Sequence, residues 1–364
     1  MDFYVSRVER FRSLLRSSGV DAALIIPGPN LRYFTGFRVE ALERLLVLVI
    51  PAQSSELVLM VPMLEYERAR ALSIEGLSIV SYRDEEDPYK ILVGELKDLG
   101  AEVVGVEGSM PFRTAGKLLG SSFRLTEVDD LIYGMRVIKD SYEVELLKRA
   151  SRIDEEAIKE GFRNLKPGMT EKEVSRIVRE RAEELGAEEV PFCIIQSGPN
   201  TALPHAESSS RRIEAGDVVL FDVGVRVEGY VADITRTVVL GEPKAEHVRI
   251  YNIVKEAQEK AISSVKPGLT AETIDRVART VIEGSGYGEY FIHRTGHGLG
   301  LEVHEEPYIR AGNKLVLKEG MVFTVEPGIY LPGKFGVRIE DDIVVTKEGF
   351  ENLTKLTKNL TDIS

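Results

Sequence analysis

Two stretches of this chain, one hundred residues apart, carry nearly the same sequence, and this repeat constrains the fold more than any other feature. LKPGMTEKEVSRIV at residues 165–178 matches VKPGLTAETIDRVA at residues 265–278, with Lys, Pro, Gly and Thr in the same places. In each copy a Pro-Gly turn precedes a threonine that can cap an amphipathic helix. A repeat of this kind predicts two similar α/β halves packed about a pseudo-two-fold axis.

Each copy of the repeat continues into an apolar, strand-like segment that contains an acidic residue. The segments are GDVVLFDVG, with Asp222, and EGMVFTVEPG, with Glu326, and in both the acid follows a glycine by six positions. Two further acids, Asp233 and Glu340, lie in the apolar segments YVADITRTVVL and VRIEDDIVV. An ionised carboxylate in a dry interior is costly unless it is paired or bound to a metal. A single such acid would most often be a salt-bridged structural residue, but four in corresponding positions indicate a shared site.

The pseudo-symmetry would carry Asp222 onto Glu326 and Asp233 roughly onto Glu340, so the four carboxylates can converge between the halves. Crowded carboxylates repel one another and need a cation. His297 offers an imidazole to the same site, although from its own segment alone a core histidine is an equally good interpretation. Four oxygen donors and one imidazole are too rich in carboxylate for a single structural zinc and suit two divalent ions bridged by acids.

The segment RTGHGLGLEVHEEP, residues 294–307, surrounds His297 with three glycines. Each glycine disfavours a helix by about 1 kcal/mol relative to alanine, so the segment is predicted to be a loop or an irregular strand. Its GxGxG spacing is a weak match to a phosphate-binding loop. We interpret the glycines as bringing the backbone close to the metal pair.

The other four histidines divide into two groups. His304 and His205 are predicted to be non-ligating groups that donate hydrogen bonds or move protons, with His304 facing the substrate. His293 and His247 are interpreted as ordinary surface or helix-end residues.

Composition restricts the partners and the compartment. The net charge is −12, with 47 basic and 59 acidic residues, which argues against nucleic acid or an anionic membrane as a partner. The chain has a single cysteine, Cys193, in the apolar run VPFCII, so no intrachain disulfide can form and a nucleophilic role is disfavoured. No run of about 18 apolar residues occurs, so no transmembrane helix is expected. Together these features predict a cytoplasmic protein.

The chain is predicted to have two domains of the α/β (α+β) class. Residues 1–125 alternate between helical and strand patterns, including a helix at Phe3–Ser18 and the apolar strands AALIIP, LLVLVI and LVLMVP. A long helical stretch, roughly Val128–Gly161, then leads into a second domain at residues 126–364, which contains the repeat.

Taken together, the motifs resemble those of a known family. FDVG, then DITRT eleven residues on, GHGLGLEVHE, TVEPGIY and GVRIEDD occur in the order typical of the metal-dependent creatinase/aminopeptidase family, which has the pita-bread fold and includes prolidase, aminopeptidase P and methionine aminopeptidase. NLRYFTGF resembles the creatinase-type N-terminal domain. The resemblance implies a creatinase-like domain at residues 1–125 and a pita-bread catalytic domain at residues 126–364.

The resemblance also implies roles for individual residues. The five expected metal ligands, of which Asp233 and Glu340 would bridge the metals, are Asp222, Asp233, His297, Glu326 and Glu340. They would hold two divalent ions, chosen from Mn, Co, Zn and Fe, with Mn or Co favoured. His304 would stabilise the tetrahedral intermediate, His205 would line the substrate side and Arg338 would brace the site. Glu326 can also pass a proton from the attacking water to the leaving nitrogen.

Within the family, the single N-terminal domain and the full ligand set favour hydrolysis of the Xaa-Pro bond in dipeptides by a homodimeric enzyme. Aminopeptidase P activity on longer Xaa-Pro peptides is the alternative, and a catalytically silent binding module is a more distant one. Several prolidases place a carboxylate-binding arginine just after the HExP segment, where this chain has Tyr308, with Arg310 two residues further on. Restriction to dipeptides therefore depends on another group.

Overall fold

A computed structural model describes residues 3–40, 43–121, 123–360 and 362–363. The chain divides into two units, Met1–Arg136 and Val137–Ser364. Among the described residues, no helix combines the length and apolar character needed to cross a membrane.

The first unit contains a mixed six-stranded sheet with helices between its strands. The helices are α1 (Phe3–Ser17), α2 (Pro29–Thr35), α3 (Tyr66–Arg70), α4 (Pro88–Asp98), α5 (Phe112–Leu119) and α6 (Asp129–Arg136). The strands are β1 (Ala22–Ile25), β2 (Val47–Pro51), β3 (Leu57–Pro62), β4 (Leu77–Tyr82), β5 (Val103–Val106) and β6 (Arg124–Glu127). The sheet order is β4-β3-β2-β1-β5-β6, and β2 runs antiparallel to both of its neighbours. Strands β1, β2 and β3 are buried along their whole length, which explains their continuous apolar sequences.

The second unit pairs helices with sheets in which all strand pairs but one are antiparallel. The helices are α7 (Ser141–Asn164), α8 (Glu171–Glu184), α9 (Ala245–Ser264) and α10 (Ala271–Gly284). The strands are β7 (Glu189–Ser197), β8 (Val218–Val227), β9 (Tyr230–Leu240), β10 (Gly296–Gly298), β11 (Glu305–Ile309), β12 (Val322–Val325), β13 (Gly328–Leu331), β14 (Phe335–Arg338), β15 (Asp341–Val345), β16 (Phe350–Asn352) and β17 (Asp362–Ile363). The sheet orders are β17-β9-β8-β7 and β11-β10-β12-β15-β16, and β13 and β14 form a separate hairpin.

The two copies of the sequence repeat have the same local structure. The amide of Gly168 donates to the carbonyl of Ile213 at 2.8 Å, and the amide of Gly268 donates in the same way to the carbonyl of Leu317 at 2.9 Å. Thr170 and Thr270 then occupy the N-cap positions of α8 and α10, although only Thr170 makes a side-chain cap bond. The repeat therefore marks two related halves, in which a helix pair is followed by antiparallel strands.

The predicted continuous helix over Val128–Gly161 is wrong, because the chain breaks between α6 and α7. Ile138 pairs with Met321 in an isolated β-bridge, and the amide of Lys139 donates to the carbonyl of Gly320 at 2.8 Å. Asp140 then starts α7 with a capping box to Glu143. A strand-like contact with the second half of the unit replaces helical hydrogen bonds at this point.

Strand β10 is confirmed as irregular, and its glycines are closely approached by the strands on either side. A Cβ at Gly296 would overlap the carbonyl oxygen of Thr324, and one at Gly298 would overlap that of Glu306. The register between β10 and β11 also shifts between these two glycines. The glycines thus allow neighbouring strands to approach His297 from both sides, and the amide of His297 donates to Thr324 Oγ1 at 3.1 Å.

We predict that Gly296→Ala lowers the melting temperature of the metal-loaded protein, because overpacking a filled site costs about 1–3 kcal/mol. The matched control is Gly284→Ala at the end of α10, where a Cβ would meet no atom within 4 Å. Thermal unfolding followed by circular dichroism compares the two variants. Equal melting temperatures for Gly296→Ala and the unsubstituted chain would contradict this role.

Candidate metal centre

The first pair of acids lies on adjacent antiparallel strands. Asp222 is on β8 and Asp233 is on β9, and the register pairs Asp233 with Gly224, two residues from Asp222. Residues two apart on a strand share a face, so the two carboxylates lie on the same side of the sheet.

The second pair of acids lies at strand ends in the other half of the unit. Glu326 follows the end of β12 and Glu340 precedes the start of β15, while Val325 and Asp341, their neighbours in the chain, are partners in the register. In each half, two acids therefore lie on, or directly beside, a pair of neighbouring antiparallel strands.

All eight predicted site residues line one cavity of about 480 Å³. They are Asp222, Asp233, His297, Glu326, Glu340, His304, His205 and Arg338. The sequence alone thus identified a set of side chains that the fold brings together from six separate segments.

His297 presents its Nε2 atom to the acids. This atom lies 3.3 Å from Glu326 Oε1 and 3.7 Å from Asp233 Oδ2. Nδ1 lies 3.0 Å from the carbonyl oxygen of Gly298, and donation to that oxygen fixes the tautomer that leaves the Nε2 lone pair free. Burial, followed by the proximity of His304, lowers the pKa of His297 to about 3, so the ring is neutral as a metal ligand requires.

The carboxylates raise one another's pKa. Burial and then the charge of Glu340 raise the pKa of Asp233 well above its usual value, and burial and then Glu326 do the same to Glu340. Burial also raises the pKa of Glu326 to about 7, although Arg338 opposes the shift. The site thus concentrates more carboxylates than the one guanidinium paired with them, that of Arg338, can neutralise.

The residues present fit a divalent metal centre. One ligand atom each from Asp233, His297 and Glu340 lies within 4.8 Å of the others, and all three residues are buried. Asp233 Oδ1 is buried with no hydrogen-bond partner among the described residues. A buried acceptor without a hydrogen-bond donor is costly in free energy. Coordination to a cation would satisfy it, and these carboxylate and imidazole ligands suit a divalent metal.

Thr235 and Arg338 connect the acids of the two halves. Thr235 Oγ1 lies 2.5 Å from Glu340 Oε2 and 3.2 Å from Asp222 Oδ1, and it accepts a hydrogen bond from Arg338 Nε at 3.1 Å. Arg338 Nη2 donates to Asp222 Oδ2 at 2.5 Å. Because the hydroxyl has one proton, it donates to one carboxylate at a time, and Glu340 is the closer. This network fixes the orientation of two potential ligands.

The prediction for His293 is wrong, because this residue lines the cavity instead of lying at the surface. Nδ1 lies 2.7 Å from the carbonyl oxygen of Arg294, and Nε2 lies 2.7 Å from the hydroxyl of Tyr330. Arg338 Nη1 donates to the same hydroxyl at 3.0 Å. Burial, then Arg338, lowers the pKa of His293 to about 3, so the ring is neutral. His247 is at a helix end as predicted, in the first turn of α9, where it packs on Phe335.

His304 and His205 lie at the more exposed side of the cavity. The ring of His304 packs edge-on against that of His297, with 4.2 Å between the centroids. Burial and the charge of Arg294 lower the pKa of His304. Glu305, the next residue, forms a buried ion pair of 2.6 Å with Lys139, which anchors the segment that carries His304.

Two buried acids that contribute to the electrostatics of the site were not singled out in the sequence analysis. Asp342 Oδ2 accepts the amide of Asp233 at 3.1 Å and the hydroxyl of Ser151 at 3.2 Å. Asp154, on α7, is fully buried, and neither of its oxygens has a hydrogen-bond partner in the described part of the chain. Asp342 was visible as the second Asp of RIEDD, but Asp154 lies in a helix with many acids and carries no distinguishing signal.

We predict that Thr235→Val weakens binding of a divalent metal by about 10–100-fold, because the hydroxyl that orients Glu340 and Asp222 is lost. Thr235→Ser keeps the hydroxyl and is the matched control. Competition between the protein and a chelator for Mn²⁺ measures the affinity without reference to activity. Equal affinities for the Val and Ser variants would show that the hydroxyl does not orient the ligands.

Comparison with known proteins identifies the family. The model of metallopeptidase family M24 matches residues 145–347, and the model of the creatinase/prolidase N-terminal domain matches residues 7–138. An Xaa-Pro dipeptidase of Pyrococcus horikoshii is 39% identical over 363 residues, covering 99% of this chain and 100% of that protein.

Solved structures agree with these matches. A crystal structure of prolidase from Thermococcus sibiricus has a TM-score of 0.93 at 41% identity and covers 99% of both chains. The crystal structure of an X-Pro aminopeptidase from Thermotoga maritima has a TM-score of 0.87 at 36% identity, covering 98% of this chain and 99% of that one. The predicted α/β fold, with a creatinase-like N-terminal part and a pita-bread part, is confirmed. The chain belongs to metallopeptidase family M24 and carries an N-terminal domain of the creatinase/prolidase type.

Proposed function

We propose that this protein is a metal-dependent peptidase that hydrolyses the Xaa-Pro bond, with Xaa-Pro dipeptides as its main substrates. The observation that carries the proposal is the convergence of four carboxylates and His297 on one cavity, which is also lined by three further histidines. Similarity to an Xaa-Pro dipeptidase along nearly the whole chain supports the choice of substrate.

In this proposal, two divalent ions would be held by Asp222, Asp233, His297, Glu326 and Glu340. Bound divalent ions would supply a nucleophile from water at neutral pH and polarise the scissile carbonyl. Carboxylate and imidazole ligands suit Mn, Co, Zn or Fe, and we favour Mn or Co.

The chain's own residues would carry the proton and the developing charge. Glu326 accepts the proton of the attacking water and transfers it to the leaving nitrogen. That nitrogen is a tertiary amide without N–H in an Xaa-Pro bond, so it must gain a proton to leave. His304 donates a hydrogen bond to the oxyanion, and His205 contacts the substrate from the same side of the cavity. Arg338 holds Asp222 in place through the bond described above.

Aminopeptidase P activity on longer peptides is the second candidate. The similarity to an X-Pro aminopeptidase at TM-score 0.87 favours it, and so does Tyr308 in the position where several prolidases have an arginine. A silent binding module is disfavoured by the complete ligand set. The homodimer and the cytoplasmic location stay predictions, which size-exclusion chromatography with light scattering and cell fractionation would test.

We predict that the metal-loaded protein cleaves Ala-Pro with a higher kcat/KM than Ala-Pro-Ala and does not cleave Ala-Ala. The measurement is a substrate panel with Mn²⁺ or Co²⁺ supplied. A higher kcat/KM for the tripeptide would show that the activity is that of an aminopeptidase P and not that of a dipeptidase. Cleavage of neither Xaa-Pro substrate, with metal bound, would overturn the proposed function.

We predict that His304→Ala lowers kcat by about 10²–10³-fold, as expected when a donor to the oxyanion is lost. Metal content, measured by elemental analysis, should stay unchanged because the role excludes coordination. Loss of metal together with activity would make His304 a ligand and would show that its assigned role is wrong.

A further inference from the structure

Two arginines line the cavity, and they differ in how their charge is used. Arg338 is buried and its guanidinium donates to Asp222, Thr235 and Tyr330. Each of its three nitrogens thus already donates one hydrogen bond within the site, and its charge is paired with Asp222. Its charge is already committed to the framework of the site.

Arg294 has no such partner. Its guanidinium carbon lies 4.6 Å from the centroid of the Tyr308 ring, and within the described ranges its side chain makes no ion pair or hydrogen bond. The residue is half-buried at the cavity wall. A cation that is partly removed from water and has no anionic partner is costly in free energy unless an anionic ligand pairs with it.

The backbone of Tyr308 is held by two hydrogen bonds, so the ring that contacts Arg294 is fixed in position. Its amide donates to Glu306 Oε2 at 2.9 Å, and its carbonyl accepts from Asn313 Nδ2 at 2.7 Å. A guanidinium stacked on an aromatic ring keeps its five N–H donors in the plane, where they can bind a carboxylate through two parallel bonds.

The charge of Arg294 also reaches the reaction centre. After burial, this charge is the next cause that lowers the pKa of His304, and it opposes the rise that burial causes in the pKa of Glu326. Arg294, His304 and the four acids line the same cavity, so a short substrate can contact all of them. Arg294 thus places on the cavity wall a positive charge that no carboxylate of the described residues pairs with.

We propose that Arg294, supported by the ring of Tyr308, binds a carboxylate of the substrate and determines the preference for dipeptides. The C-terminal carboxylate is the favoured anion, because every Xaa-Pro dipeptide has one next to the scissile bond. An acidic side chain before the proline offers the same chemistry from a second source. This inference rests on the proposed Xaa-Pro peptidase function and identifies the side chain that favours dipeptides over longer peptides.

The test removes the charge from the protein and from the substrate in turn. Arg294→Gln should lower kcat/KM for Ala-Pro by about tenfold or more, mainly through KM, because a charge-assisted contact is lost. The same variant should change kcat/KM for Ala-Pro amide, which has no terminal carboxylate, by less than about twofold. Arg310→Gln removes an exposed arginine two residues beyond Tyr308 and is the matched control, with no change expected on either substrate.

Two substitutions of Tyr308 test the stack. Tyr308→Phe keeps the ring and should leave the preference for Ala-Pro over its amide unchanged. Tyr308→Leu removes the ring and should reduce that preference by about threefold or more, the size expected for a lost cation–π contact. Metal content and thermal unfolding are measured for each variant, so that a folding defect is recognised.

A comparison of Asp-Pro with Asn-Pro separates the two sources of the anion. If Arg294→Gln lowers kcat/KM only for substrates with a free terminal carboxylate, the proposal is supported in its favoured form. If kcat/KM falls only for Asp-Pro, Arg294 binds a carboxylate, but that of the side chain before the proline. Equal losses on Ala-Pro and Ala-Pro amide, or no loss on any substrate in a folded, metal-loaded variant, would overturn it. Failure of the unsubstituted enzyme to cleave any of these substrates would instead overturn the proposed function.

Discussion

Repulsion among buried carboxylates is the constraint on which the rest of this structure depends. Asp222, Asp233, Glu326 and Glu340 line one cavity, and two like charges about 4 Å apart cost on the order of 4 kcal/mol even at an effective dielectric constant of 20. Burial and this repulsion together raise the pKa of Asp233 and of Glu340 far above the usual range. A fold that maintains such an arrangement gains stability when cations bind, and bound cations give the same site its chemistry.

The strands that carry the acids are fixed by a second, neutralised network. Arg236 is among the largest fully buried side chains and forms a 2.7 Å ion pair with Asp341, while also donating to the carbonyl of Glu340. It thereby ties β9 to β15, which bear or adjoin Asp233 and Glu340. Removing one partner of a buried pair leaves an uncompensated charge and costs about 3–5 kcal/mol. The charged pair and the Thr235 hydroxyl explain how mutually repelling groups stay aligned.

The sequence predicted that the four acids of the cavity converge because acids in apolar strands break a strong local pattern, and because the repeat related them in pairs. It did not predict His293 as a cavity residue, since burial of this ring depends on Tyr330 from the β13–β14 hairpin. The break between α6 and α7 was also missed, although Asp140 and Glu143 carry the capping-box spacing. There the apolar periodicity outweighed the cap, and the pairing of Ile138 with Met321 is a long-range contact that no local pattern reveals. The glycines around His297 were recognised as important. The strands that crowd them come from distant parts of the sequence, so this contact could not be predicted from the local pattern.

The proposed centre for divalent metal ions, formed by the four carboxylates and His297, can be measured without an activity assay. The chelator-treated protein is titrated with Mn²⁺ in a calorimeter, and its melting temperature is compared before and after metal addition. We expect two ions per chain and a higher melting temperature, since a ligand that binds only the folded state stabilises it. Asp233→Asn combined with Glu340→Gln should abolish both effects. An unsubstituted chain that binds no divalent ion, or a double variant that still binds two, would show that these side chains do not form a metal centre.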